Sequence, residues 1–517
     1  MATRNFAAGI AAGPAPGTFA GYTPRQRAWA TLFLLTGAVM NMIDTTIANV
    51  ALPQMQGTTG ASREEITWVL TSYIIAMAVA TPLGGWLGAR FSRKTVLISA
   101  IAGFTACSFL CGVATTVEEL VAFRVLQGLS GAPIVPIIQA VMLDIYPPKE
   151  HGKSMALFSL AGIAGPLVGP VLGGWLTANY SWGWVFLVNL PVGMIAILGL
   201  SATMRDTAGS DARFDLTSYG MLALAVATFQ LMLDRGGILD WFDSTEIRVE
   251  AGVAAASLAG FIIISMGRAR PLIPRRVLLD RNFIGGTVLS ILSQGSIFAV
   301  MALLPELLAQ LYGYPALQIG ITMAPRGAGT LMAALVAPMM VTRFGPTRLM
   351  VAGVLMLAAG GYILSWLTLD ASATLIVVSG AVQGAGSCLL WVPMTLVIYR
   401  TIPPDLRSQA AGFNTLARYM ASAVGITAIQ TYTIRLAGES HAQFVDRLQL
   451  QNLPSTMNEA IATGGSSAAQ ALSAVNAEVT RQATMAAYVD VFAMMSVGML
   501  LMLPMLLLLR RPRPGQG

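Results

Sequence analysis

Residues 29–50 read WATLFLLTGAVMNMIDTTIANV, an apolar run broken by one ionisable side chain, Asp44. About 20 consecutive apolar residues at 1.5 Å each cross the roughly 30 Å hydrocarbon core of a bilayer as a helix. Similar stretches recur at 66–87, 95–114, 119–141, 154–176, 182–203, 215–234, 249–267, 283–307, 318–340, 346–367, 372–398, 410–434 and 485–509, which gives fourteen. Backbone inside lipid must satisfy its hydrogen bonds internally, so only helices and closed barrels span. Stretches of this length select helices. The chain has 55% hydrophobic and 11% charged residues, where a soluble domain carries about 25% charged. The expected fold class is an all-α polytopic membrane protein with fourteen transmembrane helices.

Charge placement predicts the topology. An even number of spans puts both termini on one side. Most of the 31 Lys and Arg fall on that side, among them Arg90, Arg93, Lys94, Lys149, Lys153, Arg275, Arg276, Arg510 and Arg511. The positive-inside rule then makes both termini cytoplasmic. The net charge of +7 is this asymmetry, and no nucleic-acid partner is expected. Residues 1–28 read as a disordered cytoplasmic tail and 510–517 as a second tail. The segment 435–484 reads as a long, partly helical stretch on the opposite side. Cys107, Cys111 and Cys388 lie within spans, where small hydrophobic packing is the usual role.

The chain repeats itself weakly at a spacing near 255 residues. Gln127–Gly128 and Pro147–Pro148 match Gln383–Gly384 and Pro403–Pro404 at one offset. Arg90–Phe91 corresponds to Arg343–Phe344, three residues out of that register. The predicted division is a six-helix bundle over 29–203, an inserted two-helix hairpin with its loops over 204–282, and a second six-helix bundle over 283–509. Two such halves with a site between them at mid-membrane is a common plan of secondary transporters.

Several motifs now come into view. GWLGARFSRKTVL (85–97), LVAFRVLQGLSGA (120–132), AGIAGPLVGPVLGGWL (161–176) and MIDTTIANVALP (42–53) resemble signatures of the major facilitator superfamily and of its fourteen-helix drug:proton antiporters. LMLDRGGILDWF (231–242) and NYSWGWVFLVNLPVG (179–193) resemble the EmrB/QacA subfamily, the EmrB type above all. The resemblance covers roughly 29–509 and implies the major facilitator fold and proton-coupled multidrug efflux of amphipathic compounds. It also implies a bacterial inner-membrane location, with a periplasmic membrane-fusion adaptor and an outer-membrane channel as partners. The basic loop departs from the superfamily pattern at Ala89 and Ser92, which leaves its usual charge-relay latch open.

Each motif also has a physical reading. Asp44 lies about 15 residues into its span, roughly 22 Å deep. Arg124 lies at a similar depth on a span entering from the other side. Burial disfavours an ionised carboxyl and a nearby guanidinium favours it, so a group balanced between the two can load and release protons. The alternative is a static structural pair. Glu306 is a second candidate proton site or an interfacial side chain. Gly165, Gly169 and Gly173 make one face of the fifth span smooth. Pro166 and Pro170 add kinks there. These residues, with Arg90, Arg93 and Lys94, are the gating candidates. Arg326 and Arg418 are buried charges that could pair with a carboxylate or with helix carbonyls. Asn41, Gln127, Gln139, Gln294, Gln383, Trp391 and Asn414 are expected to line the substrate cleft. GKS at 152–154 lacks the preceding glycine of a phosphate loop, Pro147 standing in its place. With only two histidines, a His-based zinc site is not expected. No cofactor is expected, and an ion gradient is the expected energy source. Rival readings are a narrow-substrate exporter (of a siderophore, a fatty acid or a secondary metabolite) and a non-transporting receptor or scaffold.

Overall fold

The computed structural model describes residues 21–206, 215–237, 239–268, 274–403, 406–447 and 465–508. Fourteen long helices coincide with the fourteen expected spans. They are α1 (Pro24–Thr59), α2 (Arg63–Arg90), α3 (Arg93–Val113), α4 (Val117–Ile145), α5 (His151–Asn179), α6 (Trp184–Thr203) and α7 (Leu216–Gly236). They continue as α8 (Thr245–Gly267), α9 (Arg281–Gln310), α10 (Ala316–Phe344), α11 (Pro346–Leu364), α12 (Ala373–Tyr399), α13 (Arg407–Arg447) and α14 (Gly465–Leu500). Among the described residues, twelve stretches are long and apolar enough to cross a membrane, leaving aside α5 and α13. Large apolar side chains such as Leu198, Ile263, Ile321 and Leu335 lie exposed on these helices, as expected of a surface whose solvent is lipid.

Local chemistry sets the helix ends. Thr23 caps α1 in a reciprocal capping box with Gln26, and Pro24 occupies the first turn, where its missing N–H has no partner to lose. Ser62 and Glu65 form the same box at α2. Between them, Gly60 takes the left-handed conformation (φ 68°) that closes α1. The fourth span is two helices, Val117–Gly131 and Ile134–Ile145, where the sequence predicts one. Pro133 follows the break, and its ring sits against Gly84 of α2, where a Cβ would come within 2.8 Å of the proline Cα. The expected outer segment 435–484 is largely helix. α13 runs on to Arg447, α14 begins at Gly465, and His441 meets Asn476 across the pair at 3.1 Å. Residues 448–464 and both expected tails lie outside the described residues, apart from 21–28.

In the first six helices, α1 packs on α5 and α6, α2 on α4, and α3 on α4 and α6. Among the last six, α10 and α11 pack on α12, α9 on α13, and α11 and α13 on α14. α7 and α8 pack on each other, with α7 also against α2. The two sets meet where α5 lies along α10 and α2 along α13. On the face bearing the chain ends, here the terminal face, one apolar core runs through both sets, from Leu34, Phe104 and Ile138 to Phe283, Met350 and Met394. Toward the opposite, distal face the core divides. One cluster holds Ile47, Val69 and Phe186, the other Leu303, Tyr488 and Phe492.

Candidate functional site: a buried charge cluster and its counterpart

Asp44 on α1 is fully buried, and Arg124 on α4 is 1% exposed. The Arg124 Nη1 donates to Asp44 Oδ2 at 2.7 Å. The other carboxylate oxygen accepts from Gln127 Nε2 at 2.9 Å and from Asn189 Nδ2 at 2.7 Å. Gln127 sits one helical turn beyond Arg124 and receives a further Arg124 bond on its carbonyl, 2.7 Å. Ser108 of α3 accepts from both amides, at 2.6 Å from Gln127 and 3.2 Å from Asn189. Four helices thus converge on one carboxylate. Three donors satisfy its ionised form, since a carboxylate accepts only.

The guanidinium has other holds. Its Nε donates to the Val69 carbonyl of α2 at 3.1 Å. Its carbon lies 3.9 Å from the Tyr73 ring centre and 5.4 Å from that of Phe186. Aromatic faces attract a desolvated cation by about 2 kcal/mol. Arg124 therefore keeps partners whether or not Asp44 is charged.

The surroundings tie this cluster to α5. Thr46, two residues beyond Asp44, donates to the Gly165 carbonyl at 2.8 Å. A Cβ at Gly165 would run into the main chain of Met42, one at Gly169 into Thr46, and one at Gly173 would lie 2.9 Å from Ile47. The smooth glycine face is real, and it seats α1 of the same set of helices. The contact with α10 uses other residues, Val171 against Gly320 and Gly152 near Pro338. The side chains of Pro166 and Pro170 lie outside the described residues.

The basic loop is partnered despite Ala89 and Ser92. Arg93 is ion-paired with Asp144 at the end of α4, and the other oxygen of Asp144 lies 3.5 Å from Arg407 at the start of α13. One carboxylate therefore joins the two sets of helices at the terminal face. Lys94 donates to the Ser201 carbonyl at 2.9 Å. Arg90 closes the last turn of α2.

A second polar group occupies the last six helices. Arg326 of α10 donates to Gln383 Oε1 at 2.6 Å, and Gln383 donates to Ser379 at 2.9 Å. These side chains edge a small, partly open recess shared with Val300, Leu304, Met323, Ile376 and Gly380. The offset that matches Gln127 to Gln383 carries Asp44 onto Val300 and Arg124 onto Gly380. Gln383 keeps its place, while the carboxylate is replaced by valine and the arginine enters from α10.

The other expected cavity residues meet various partners. Gln127 belongs to the charge cluster and Gln383 to the recess. Asn414 donates to Thr287 at 3.1 Å. Trp391 lies under Arg418, 4.3 Å from its guanidinium carbon. Asn41 and Gln139 are buried with neither amide atom hydrogen-bonded among the described residues. Gln294 is half-buried. Glu306 accepts from Gln310 at 3.1 Å near the distal end of α9 and does not join Asp44. Arg418 forms no ion pair among the described residues. Asn189, Ser108, Tyr73, Asp144 and Arg407 were not foreseen. Asn189 alone left a signal, as an amide inside an apolar span.

Long apolar helices closed around a buried ion pair define a polytopic α-helical membrane protein. Comparison narrows the class. Residues 34–426 match the Major Facilitator Superfamily, and the chain belongs to that superfamily, as a secondary transporter rather than an enzyme. It is 30% identical over 501 residues to the fatty acid resistance protein FarB of Neisseria gonorrhoeae, covering 95% of this chain and 97% of that one. It is 30% identical over 495 residues to the multidrug export protein EmrB of Escherichia coli K12, covering 94% and 96%. Its fold is similar to that of the proton:xylose symporter XylE, with a TM-score of 0.60 at 16% identity, covering 93% of this chain and 97% of that one.

Proposed function

We propose that this chain is a proton-coupled antiporter that exports amphipathic toxic compounds by alternating access. The observation that carries the reading is the Asp44 carboxylate held by Arg124, Gln127 and Asn189 inside the bundle. Membership of the superfamily and full-length similarity to EmrB and FarB support it. In this reading the functional units are helices α1–α6 and α9–α14, with α7–α8 as an inserted hairpin. The terminal face is cytoplasmic and the membrane is the bacterial inner membrane.

A proton entering from the distal side neutralises Asp44 and costs it the Arg124 bond. Gln127, Val69, Tyr73 and Phe186 then hold the guanidinium. α1 is freed from α4 and α6 at the turn that seats α5, and α5 lies along α10. Discharge of one carboxylate is in this way passed to the contact between the halves. Release of the Arg93–Asp144–Arg407 bridge opens the cytoplasmic side, where the proton leaves and substrate enters. No cofactor takes part. The FarB relative's name keeps a narrower range, of fatty acids, beside the multidrug reading. The distal extensions of α13 and α14 are the proposed docking surface for a periplasmic adaptor leading to an outer-membrane channel.

Proteoliposomes with an imposed pH gradient and a mixed drug panel test this. Asp44→Asn is expected to abolish drug-stimulated proton release, a loss of 100-fold or more on the scale of general acid–base steps. Intact coupling in that variant at equal protein level rejects the proposal.

A further inference from the structure

We infer that Arg326 makes the recess of the second helix set a binding site for the carboxylate of an amphipathic organic anion. The inference rests on the transporter reading above and adds the place in the fold that takes an anionic substrate head.

The argument begins with charge. Among the described residues, Arg326 has no ion pair. Its one side-chain partner is the neutral carbonyl of Gln383. A guanidinium carries five N–H donors in a fixed fork, so most of its donor capacity is open to a ligand. The matching place in the first helix set holds a carboxylate, Asp44; here Val300 stands in that position, and among the described residues no acid compensates the positive charge. An unpaired cation within the membrane is costly and marks a site that some anion completes.

The backbone holds the arginine in place. Gly380 and Gly384 let α12 come against the main chain of α10 at Arg326, where a Cβ on Gly384 would strike the Arg326 carbonyl. That carbonyl accepts from Thr330 at 3.0 Å. Gln383 is in turn fixed by Ser379, which donates to the Gly360 carbonyl at 2.7 Å. The fork is thus braced by a chain of hydrogen bonds ending on α11.

The walls give the rest of the ligand. Arg326, Gln383 and Ser379 form one polar end, while Val300, Leu304, Met323 and Ile376 are apolar. A planar carboxylate meets a guanidinium through two parallel bonds, and an alkyl or aryl group attached to it fills the apolar side. The enclosed part of the recess is small and one side is open, so it takes the carboxylate head, and the remainder of the molecule extends beyond it.

The test uses the full-length protein in nanodiscs at neutral pH and two probes with one tail and opposite heads, octanoate and octyltrimethylammonium. Wild type is expected to bind octanoate saturably by calorimetry. Arg326→Gln is expected to raise its Kd at least tenfold and to leave the cation unchanged or tighter. Arg326→Lys, which keeps the charge without the fork, is expected to fall between. Equal octanoate binding in wild type and Arg326→Gln, no octanoate binding in wild type, or equal loss of both probes in Arg326→Gln overturns the inference. Ethidium-stimulated proton release in wild-type proteoliposomes is measured alongside. If it persists while the octanoate result fails, only this inference falls; if it is absent, the antiporter reading falls.

Discussion

Gln127 and Gln383 occupy matching places in the two helix sets and do different work. Gln127 bridges an arginine, a carboxylate and a serine, and the charges around it cancel. Gln383 bridges an arginine and a serine, and among the described residues the charge beside it has no counter-ion. The same scaffold thus holds a closed, self-neutralised polar group in one half and an open, cationic one in the other. The difference teaches that two helix sets can share a hydrogen-bonding amide while their ionisable groups differ.

The sharpest way to break this comparison is to remove each arginine. Arg124→Ala leaves Asp44 buried without its counter-ion, an expected loss of about 3–5 kcal/mol. Arg326→Ala leaves no carboxylate behind and is expected to cost about 1 kcal/mol, the price of a single hydrogen bond. Denaturation in detergent measures both, and equal losses would erase the distinction. Next in size, Val300→Asp places a carboxylate beside Arg326 and imitates the first half. It is expected to weaken octanoate binding about tenfold, as one lost charge-assisted contact does.

Gly169→Ala tests whether the Asp44 turn depends on the close approach of α5. Its methyl meets Thr46, and overpacking of this kind costs about 1–3 kcal/mol. Drug-stimulated proton release should fall with it, while octanoate binding in the other half stays. Asp144→Asn removes the shared partner of Arg93 and Arg407. In a background without Cys107, Cys111 and Cys388, a cysteine placed at Ser154 should then react several-fold faster with a membrane-impermeant thiol reagent. The smallest effect is expected from Thr71→Val. It removes a 2.7 Å bond to Asp234 of α7, within about 1 kcal/mol, and changes neither site.

The fourteen helices were legible in the sequence because apolar length is a coarse signal that tertiary context does not overturn. The Asp44–Arg124 pair was legible because two ionisable groups at one depth in lipid have little else to bind. Other features depended on rotation about a helix axis, which spacing along the chain does not reveal. The face that Gly165 and Gly169 present to α1 is one, and the pairing of Asn414 with Thr287 and of Trp391 with Arg418 is another. Asp144 was hidden because it stands at a helix end, where an acidic residue ordinarily meets water. Arg326 was noticed as a charge, but its lack of a counter-ion appears only when its neighbours are known.

The undivided apolar core at the terminal face has a consequence for energetics. Parting the helix sets there would wet the surfaces around Phe283, Met350 and Phe104, and water resists that in proportion to the area exposed. Parting them at the opposite face tears no shared core, since the clusters there are already separate. The two strokes of the cycle are therefore unequal, and at rest the protein is sealed toward the terminal side by surface tension as much as by any bolt of charge.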